Sequence, residues 1–180
     1  MGVLDGVRIV EIAGIGPGPF CGMVLADMGA DVIKVERPGA KSGDLLDLGK
    51  NAIVNRGKRS LALDLKDPQG RAQALELAGR ADVVVEQFRP GVMDRLGLGY
   101  ATLSQANPGL VYCSITGYGQ RGARAMQAGH DLNYAGDTGF LALSLGDVAQ
   151  AVLPASPVGD IGGGAYPAMI NILLALEERR

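Results

Sequence analysis

Short runs of β-branched and apolar residues alternate with longer helical stretches along the first 116 residues of the chain. Such runs, bounded by Gly, Pro or charged residues, are typical of buried strands. We predict five strands, at residues 7–13, 31–36, 60–65, 81–87 and 110–116. Their alternation with helices predicts an α/β fold with a doubly wound, mostly parallel sheet and helices on both faces. Ligands of such sheets bind at the carboxyl ends of the strands.

Two helices are predicted from their end signals. The first lies between the first two strands, with Pro17 or Pro19 near its start and Gly29 at its end. The second has Asp67 as its N-cap and Pro68 in its first turn. Proline is favoured at the first helical position and Asp at the N-cap, so both stretches suit crossover helices of a parallel sheet.

The pattern changes after residue 116. A long loop punctuated by glycines is followed by a predicted helical stretch from about residue 130 to residue 145. Long loops are more often functional than merely connecting. A final helix is predicted to present one apolar face, made of Tyr166, Met169, Ile170, Leu173 and Leu174.

Composition excludes several classes of protein. The 180 residues are 47% hydrophobic and 20% charged, with a formal net charge of −2, which suits one globular domain and gives no general attraction to nucleic acid or anionic membrane. No apolar run reaches the length that spans a membrane. Cys21 and Cys113 are isolated, so we expect neither a disulfide framework nor a zinc site, and a cytoplasmic location is the default.

A glycine-rich segment follows the first strand and precedes a helix, as in a dinucleotide-binding fingerprint. Gly14, Gly16 and Gly18 are spaced G-x-G-x-G, but Pro19 stands where a third small residue should allow close helix packing. Binding of NAD is therefore disfavoured. A tight turn is the simpler interpretation, and the helix N-terminus there could still receive an anion.

Basic residues lie on the loops around the second and third predicted strands: Arg37, Arg56, Lys58, Arg59 and Lys66. Arg presents a rigid fork to phosphate, and Lys presents a point charge. Two interpretations stay open, a solvated basic rim and a site for a phosphorylated ligand.

Two residues are candidates for acid/base chemistry. Asp160 stands just before three glycines and a predicted helix, where it could be a simple N-cap or could place a carboxylate beside free backbone N–H groups. His130 is the only histidine of the chain. A lone histidine is more often structural than catalytic, and its neighbour Asp131 is not expected to orient it, because adjacent helical residues point in different directions.

Taken together, several segments resemble the α-methylacyl-CoA racemases of the family III CoA-transferase (CaiB/BaiF-like) superfamily, in family order and over essentially the whole chain. They are "VRIVEIAGIGPGPFCGMVLADMGADVIKVERPG", "NRGKRSLALDLK", "ADVVVEQFRPGVMDRLGLGY", "NPGLVYCSITGYGQ", "AGHDLNYAG" and "VGDIGGG". The resemblance implies that His130 and Asp160 are the acid/base pair acting on the α-carbon of a 2-methylacyl-CoA. It also implies a set of residues that bind the CoA thioester: Arg37, Leu63, Asp64, Leu65, Lys66, Gly129, Asp131, Leu132, Asn133 and Tyr134.

The chemistry of such a reaction is coherent with these residue types. Inverting a carbon next to a thioester requires a base on one face and an acid on the other. Burial should raise the pKa of the Asp, ordinarily about 3.9, toward that of the His at about 6.5. The enolate oxygen needs fixed donors, for which the backbone N–H groups of Asp160, Ile161 and Gly162 are candidates. No metal or redox cofactor is needed, since CoA is part of the substrate.

The resemblance also implies a domain organisation and a partner. Residues 1–145 would form a Rossmann-like CoA-binding domain, and residues 146–180 the loop of the catalytic Asp and the start of a long helix leading to a small domain. Racemases of this family are about twice as long and form interlocked homodimers, so we expect the chain to be a truncated form or an N-terminal portion. Two further hypotheses stay open. Related transferases use the aspartate matching Asp160 as a nucleophile and generally lack the histidine, and a chain of this length could be a non-catalytic CoA-binding module.

Overall fold

A computed structural model describes residues 2–39, 53–143 and 152–179. Five strands form one sheet, in the order β3-β2-β1-β4-β5, and every neighbouring pair is parallel. The strands are β1 (Arg8–Ile12), β2 (Asp31–Glu36), β3 (Lys58–Ala62), β4 (Val83–Glu86) and β5 (Val111–Ser114). The predicted doubly wound α/β fold is confirmed. The crossovers from β1 run toward β3 on one side and toward β5 on the other, which places the switch point between β1 and β4.

Helices cover both faces of this sheet. Those in the described part of the chain are α1 (Pro17–Asp27), α2 (Pro68–Gly79), α3 (Val92–Arg95), α4 (Tyr100–Ala106), α5 (Asp131–Asp137), α6 (Phe140–Leu143) and α7 (Tyr166–Glu178). A short 3₁₀ turn covers Ile53–Asn55, and a π-helical segment, Val158–Ala165, runs directly into α7. None of the helices in the described ranges is long and apolar enough to cross a membrane.

The predicted helix starts are confirmed. Pro17 is the first residue of α1, after Gly16 in a backbone conformation with φ 77° that favours glycine. The carboxylate of Asp67 accepts hydrogen bonds from the N–H groups of Gln69 and Gly70, at 2.9 and 3.0 Å. Both helices therefore begin where the sequence signals place them.

Strand β3 lies two to three residues earlier than predicted. Lys58 pairs with Val32 and Ala62 with Glu36, so the strand ends before Leu63. Leu63 is buried in the core, and Asp64 accepts a hydrogen bond from the Lys66 N–H at 2.9 Å, which turns the chain toward α2. The apolar residues after position 62 continue the hydrophobic pattern but belong to a loop.

The core consists of two apolar layers, one on each face of the sheet. Ile9 packs with Leu25 of α1 and Ile172 of α7 on one face. On the other face, Val10 packs with Leu103 of α4 and with α2 and α3. Successive residues of a strand point to opposite faces, so a strand buried on both sides reads as a continuous apolar run.

The apolar face of the last helix was predicted wrongly in part. Met169 is buried and Leu173 is partly buried, as expected, but Tyr166, Ile170 and Leu174 are 51, 56 and 63% exposed. The residues of α7 buried in the core are instead Ala168, Met169, Ile172 and Leu176. The helix is apolar on nearly all sides, so periodicity alone could not identify the face that packs.

The helical stretch predicted from residue 130 to residue 145 is interrupted. His130 is the N-cap of α5, which ends at Asp137, and Gly139 with φ 77° separates it from α6. A residue in the left-handed region cannot continue a right-handed helix, so one predicted helix becomes two short ones. Residues 144 and 145 lie outside the described residues.

Candidate active site

A cavity of about 890 Å³ lies at the carboxyl ends of β1 and β4. Its walls are the loops that follow β1, β4 and β5, the segment leading into α5, α5 itself and the π-helical segment. The cavity therefore opens at the switch point of the sheet, where doubly wound folds bind their ligands. The prediction that binding belongs at the carboxyl edge of the sheet agrees with the position of this cavity.

His130 lines the cavity at the start of α5. Its backbone N–H donates a hydrogen bond to the side-chain oxygen of Asn133 at 2.9 Å. The hydroxyl of Tyr134 donates to the carbonyl of Gly129 at 2.7 Å. These two bonds hold the backbone on both sides of the histidine at the start of α5.

Asp160 lines the same cavity from the π-helical segment. It lies inside this segment, so the simple N-cap interpretation is wrong. A π-helical turn is wider than an α-helical one and is frequent at functional sites. The wide turn packs closely on its neighbours: a Cβ at Gly159 would lie 3.1 Å from the Asp131 carbonyl oxygen, and one at Gly164 would lie 3.1 Å from Pro17. These contacts explain glycine on both sides of the carboxylate.

Asp131 connects the two candidate residues. Its carboxylate accepts a hydrogen bond from the backbone N–H of Asp160 at 2.8 Å. The aspartate ties the start of α5 to the loop that carries the opposing carboxylate.

The backbone N–H groups around Asp160 are mostly engaged within the protein. That of Asp160 binds Asp131, and that of Ile161 donates to the Pro157 carbonyl at 3.0 Å. The expectation that these two groups stabilise an enolate is therefore wrong, because an N–H already bonded internally is not a free donor. The same expectation for Gly162, which lines the cavity, stays a prediction.

The environment of Asp160 favours its neutral form. Burial raises the pKa of this carboxyl above its ordinary value, and the negative charge of Asp131 raises the pKa further. His130 acts in the opposite direction and lowers it. Burial, with a contribution from the charge of Asp160, also raises the pKa of the Tyr134 hydroxyl. The predicted direction for Asp160 is confirmed.

The glycines after β1 lie close to two side chains that are distant in sequence, those of Gln87 and Asp160. A Cβ at Gly16 would lie 2.9 Å from a carboxylate oxygen of Asp160. Side chains at Gly14 and Gly18 would collide with Gln87, which follows β4. The segment is thus more than a tight turn, since it supports the candidate catalytic carboxylate.

The predicted CoA-binding residues fall into two groups. Gly129 and Tyr134 line the cavity, and Asp131, Leu132 and Asn133 follow His130 in the first turn of α5. Arg37 and the segment 63–66 lie outside the cavity, at the carboxyl ends of β2 and β3, where the Leu63 N–H donates to the Glu36 carbonyl at 2.9 Å. Leu63 is buried in the core, whereas Arg37, Asp64 and Lys66 are exposed.

Three of the five basic residues lie at the opposite edge. Arg56 precedes β3, and Lys58 and Arg59 begin it, so they stand at the amino ends of the strands. They pair with acidic groups: Arg56 with Asp27, Lys58 with the buried Glu11, and Arg59 with Asp31. For these three residues the phosphate-site interpretation is wrong, and only Arg37 and Lys66 remain at the ligand edge.

Sequence reasoning missed Gln87 and Arg89. Both line the cavity, in the loop after β4. Their signal was positional, because they directly follow a predicted strand at the edge where ligands bind. Within the described ranges no group of three or more His, Cys, Asp or Glu side chains is arranged to hold a metal ion.

Fold and site together define an α/β protein with a cavity at the switch point of a parallel sheet, lined by His130 and Asp160. The sequence profile of CoA-transferase family III matches residues 4–180, and the chain belongs to this family.

Its relatives include both racemases and transferases. The chain is 48% identical to α-methylacyl-CoA racemase of Mus musculus over 98% of its length, and 39% identical to succinyl-CoA:glutarate CoA-transferase of the same organism over 95%. It spans 44% and 42% of the length of these relatives. The crystal structure of Rv3272 from M. tuberculosis has a TM-score of 0.89 at 35% identity, over 99% of this chain and 51% of that one. A CAIB/BAIF family protein from Brucella suis gives 0.89 at 37% identity, over 99% and 50%.

Proposed function

We propose that this chain carries the acid/base site of an enzyme that inverts the α-carbon of 2-methylacyl-CoA thioesters. The observation that supports this most strongly is the joint exposure of His130 and Asp160 to one cavity at the switch point of the sheet. The resemblance to racemases, at 48% identity to the mouse enzyme, supports the same reaction class.

The proposed reaction is a proton transfer from one face of the α-carbon to the other. In one direction, the neutral imidazole of His130 takes the α-proton, leaving an enolate, and the protonated carboxyl of Asp160 delivers a proton to the opposite face. In the reverse direction the two groups exchange roles. Burial and Asp131 raise the pKa of Asp160, so its acid form is more available than that of an exposed aspartate. The reaction needs no metal or redox cofactor.

The rest of the substrate is assigned along the carboxyl edge of the sheet. We place the thioester in the cavity, beside Gly129, Tyr134 and the first turn of α5. Arg37 and the segment 63–66, at the ends of β2 and β3, would bind the phosphates and the nucleotide of CoA. The chain spans about half the length of the curated relatives it matches, and we propose that the whole protein is an interlocked homodimer in the cytoplasm.

The test is exchange of the α-proton with solvent deuterium. The chain is incubated with each enantiomer of a 2-methylacyl-CoA in deuterated water, and deuterium at the α-carbon is followed by NMR. We expect Asp160→Asn and His130→Ala each to abolish inversion and each to slow exchange of one enantiomer, the opposite one in the two variants, because each base removes the α-proton of one enantiomer. Asp5→Asn, an exposed site far from the cavity, is the matched control. Equal and full exchange of both enantiomers by His130→Ala would contradict the two-base assignment.

A second candidate is CoA transfer with Asp160 as nucleophile, which the 39% identity to a mouse CoA-transferase favours. A carboxylate oxygen of Asp160 would attack the thioester carbonyl and expel CoA as thiolate. The thiolate would then attack the aspartyl carbonyl of the mixed anhydride, which releases the free acid and leaves an aspartyl-CoA thioester. Hydroxylamine added after an acyl-CoA would convert Asp160 to a hydroxamate, detected by mass spectrometry. Binding of CoA with neither hydroxamate nor exchange would indicate a non-catalytic binding module.

A further inference from the structure

The carboxamide of Gln87 bridges the glycine turn that supports Asp160. Its nitrogen donates a hydrogen bond to the Ile15 carbonyl at 2.6 Å, and its oxygen accepts one from the Gly18 N–H at 2.8 Å. The two partners stand on either side of Gly16 and Pro17. One side chain from the loop after β4 therefore closes the turn after β1 across the switch point of the sheet.

Gln87 also caps the N-terminus of α1, which its own N-cap residue cannot do. The cap residue, Gly16, has no side chain, and the first N–H groups of a helix have no partner within it. Gln87 satisfies one of these groups, that of Gly18. Only a side chain with both a donor and an acceptor can make the two bonds at once, which a carboxamide provides.

The backbone around Gln87 is itself held in place. The preceding residue, Glu86, is 4% exposed, and its carboxylate accepts hydrogen bonds from the Phe88 N–H at 2.8 Å and from the Ser114 hydroxyl of β5. The loop that presents Gln87 is thus anchored to two strands. Because this loop is anchored, the two hydrogen bonds of Gln87 can hold the turn after β1 in one position.

The turn in its fixed position supports the candidate catalytic carboxylate. Gly16, between the two atoms that Gln87 binds, has φ 77° and lies against a carboxylate oxygen of Asp160, and Pro17 packs on Gly164 of the π-helical segment. We infer that Gln87 is a positioning residue: by closing the turn 14–18, it sets the position of the Asp160 carboxylate opposite His130. The inference rests on the proposed function, in which that carboxylate reacts.

The first test is structural and independent of turnover. In the unaltered chain, we expect the Gly18 amide to be protected from hydrogen exchange, unlike an uncapped first-turn N–H. In Gln87→Met, which keeps the size but loses both hydrogen bonds, we expect that amide to exchange about five- to tenfold faster. We also expect the pKa of the Asp160 carboxyl, followed by carbon NMR, to fall as the carboxylate gains water. Gln73→Met on the exposed surface of α2 is the matched control.

A second variant separates hydrogen bonding from mere size. Below the ordinary glutamate pKa of about 4.3, Gln87→Glu has a hydroxyl donor and a carbonyl acceptor and can replace the carboxamide. Above that pH it loses the donor that binds the Ile15 carbonyl. We expect its Gly16 and Gly18 amide resonances to match the unaltered chain at low pH and to depart from it at neutral pH. A residue that only fills space would give no such pH dependence.

The second test uses α-proton exchange. We expect Gln87→Met to lower kcat by about ten- to a hundredfold while KM changes less than about twofold, since the carboxylate is misplaced but CoA contacts remain. An unprotected Gly18 amide in the unaltered chain, or an unchanged Asp160 titration and kcat in Gln87→Met, would overturn the inference. If the unaltered chain catalyses no exchange, but Gln87→Met still moves the Asp160 titration, the proposed function fails and the positioning role stands.

Discussion

At the scale of single residues, the site depends on a carboxylate held where its charge is unfavourable. Asp160 is partly buried and lies near the negative charge of Asp131, and both effects raise the pKa of its carboxyl. His130 lowers this pKa, but offsets only part of the rise. If Asp160 is the proposed acid, function and stability conflict at this position, because a raised pKa that favours its acid form also makes its ionised form unfavourable in the fold.

This conflict predicts a pH-dependent stability change in Asp160→Asn. The folded-state pKa of Asp160 is raised above its unfolded value, so its ionisation destabilises the fold as pH rises through the unfolded pKa of about 3.9. We expect the Asn variant to melt at a higher temperature than the unaltered chain at pH 7. The difference should vanish near pH 3, where both states are protonated. A variant that melts lower at pH 7 would contradict this, with Asp5→Asn as the control in thermal melts.

Asp131 affects Asp160 through both its charge and a hydrogen bond, and two substitutions separate these effects. Asp131→Asn keeps an oxygen that can accept from the Asp160 N–H but removes the charge, so the pKa of Asp160 should fall and the acidic limb of the exchange profile should move to lower pH. Asp131→Leu removes the acceptor as well and should destabilise the chain by about 1 kcal/mol in urea unfolding. Identical pH profiles for Asp131→Asn and the unaltered chain would contradict the electrostatic role.

At the scale of secondary-structure elements, the sequence predicted where α1 and α2 begin, but not which face of α7 packs on the core. Asp67 and Pro68 mark the start of α2 because their effects are local. The end of β3 was misplaced because the residues after Ala62 remain apolar, and only the register with β2 shows where pairing stops. The π-helical segment could not be predicted, since its wide turn depends on contacts of Gly159 and Gly164 with distant residues.

The orientation of α7 leads to a matched pair of stability predictions. Ile172 is 1% exposed, whereas Ile170, two residues earlier on the same helix, is 56% exposed. Ile172→Ala should lower the free energy of unfolding by about 2 to 5 kcal/mol, through lost burial and a cavity. Ile170→Ala should change it by less than about 0.5 kcal/mol. Urea unfolding of both variants checks this, and a larger loss in Ile170→Ala than in Ile172→Ala would mean that the helix packs by the face predicted from periodicity.

At the scale of the whole molecule, the two edges of the sheet, at the carboxyl and at the amino ends of the strands, differ in what they hold. The carboxyl edge holds the cavity, Arg37 and Lys66, and the amino edge holds Arg59, whose guanidinium pairs with Asp31. Basic residues at the two edges look alike in sequence. Only the direction and register of the strands show which of these residues stand at the carboxyl edge, where parallel sheets bind their ligands.

This difference predicts which arginine affects CoA binding. We expect Arg37→Ala to weaken binding of CoA by about tenfold in isothermal titration calorimetry, since it removes a fork that suits phosphate. Arg59→Ala, which removes the same charge from the opposite edge, should leave the affinity within about twofold. Equal losses in the two variants would indicate a general effect of net charge, and no loss in Arg37→Ala would remove that residue from the site.

The order of the five strands along the chain, and hence the class of fold, followed from the sequence alone. Runs of apolar residues, prolines and caps act within a few positions, and a parallel sheet built from them leaves few possible topologies. The tertiary structure alone decided which side of α7 is buried, which basic residues stand at the carboxyl ends of the strands, and that Asp131 and Gln87 hydrogen-bond to distant segments of the cavity wall. These properties depend on contacts between residues far apart in the chain, such as Asp131 with Asp160 and Gln87 with Gly18, which no local pattern records.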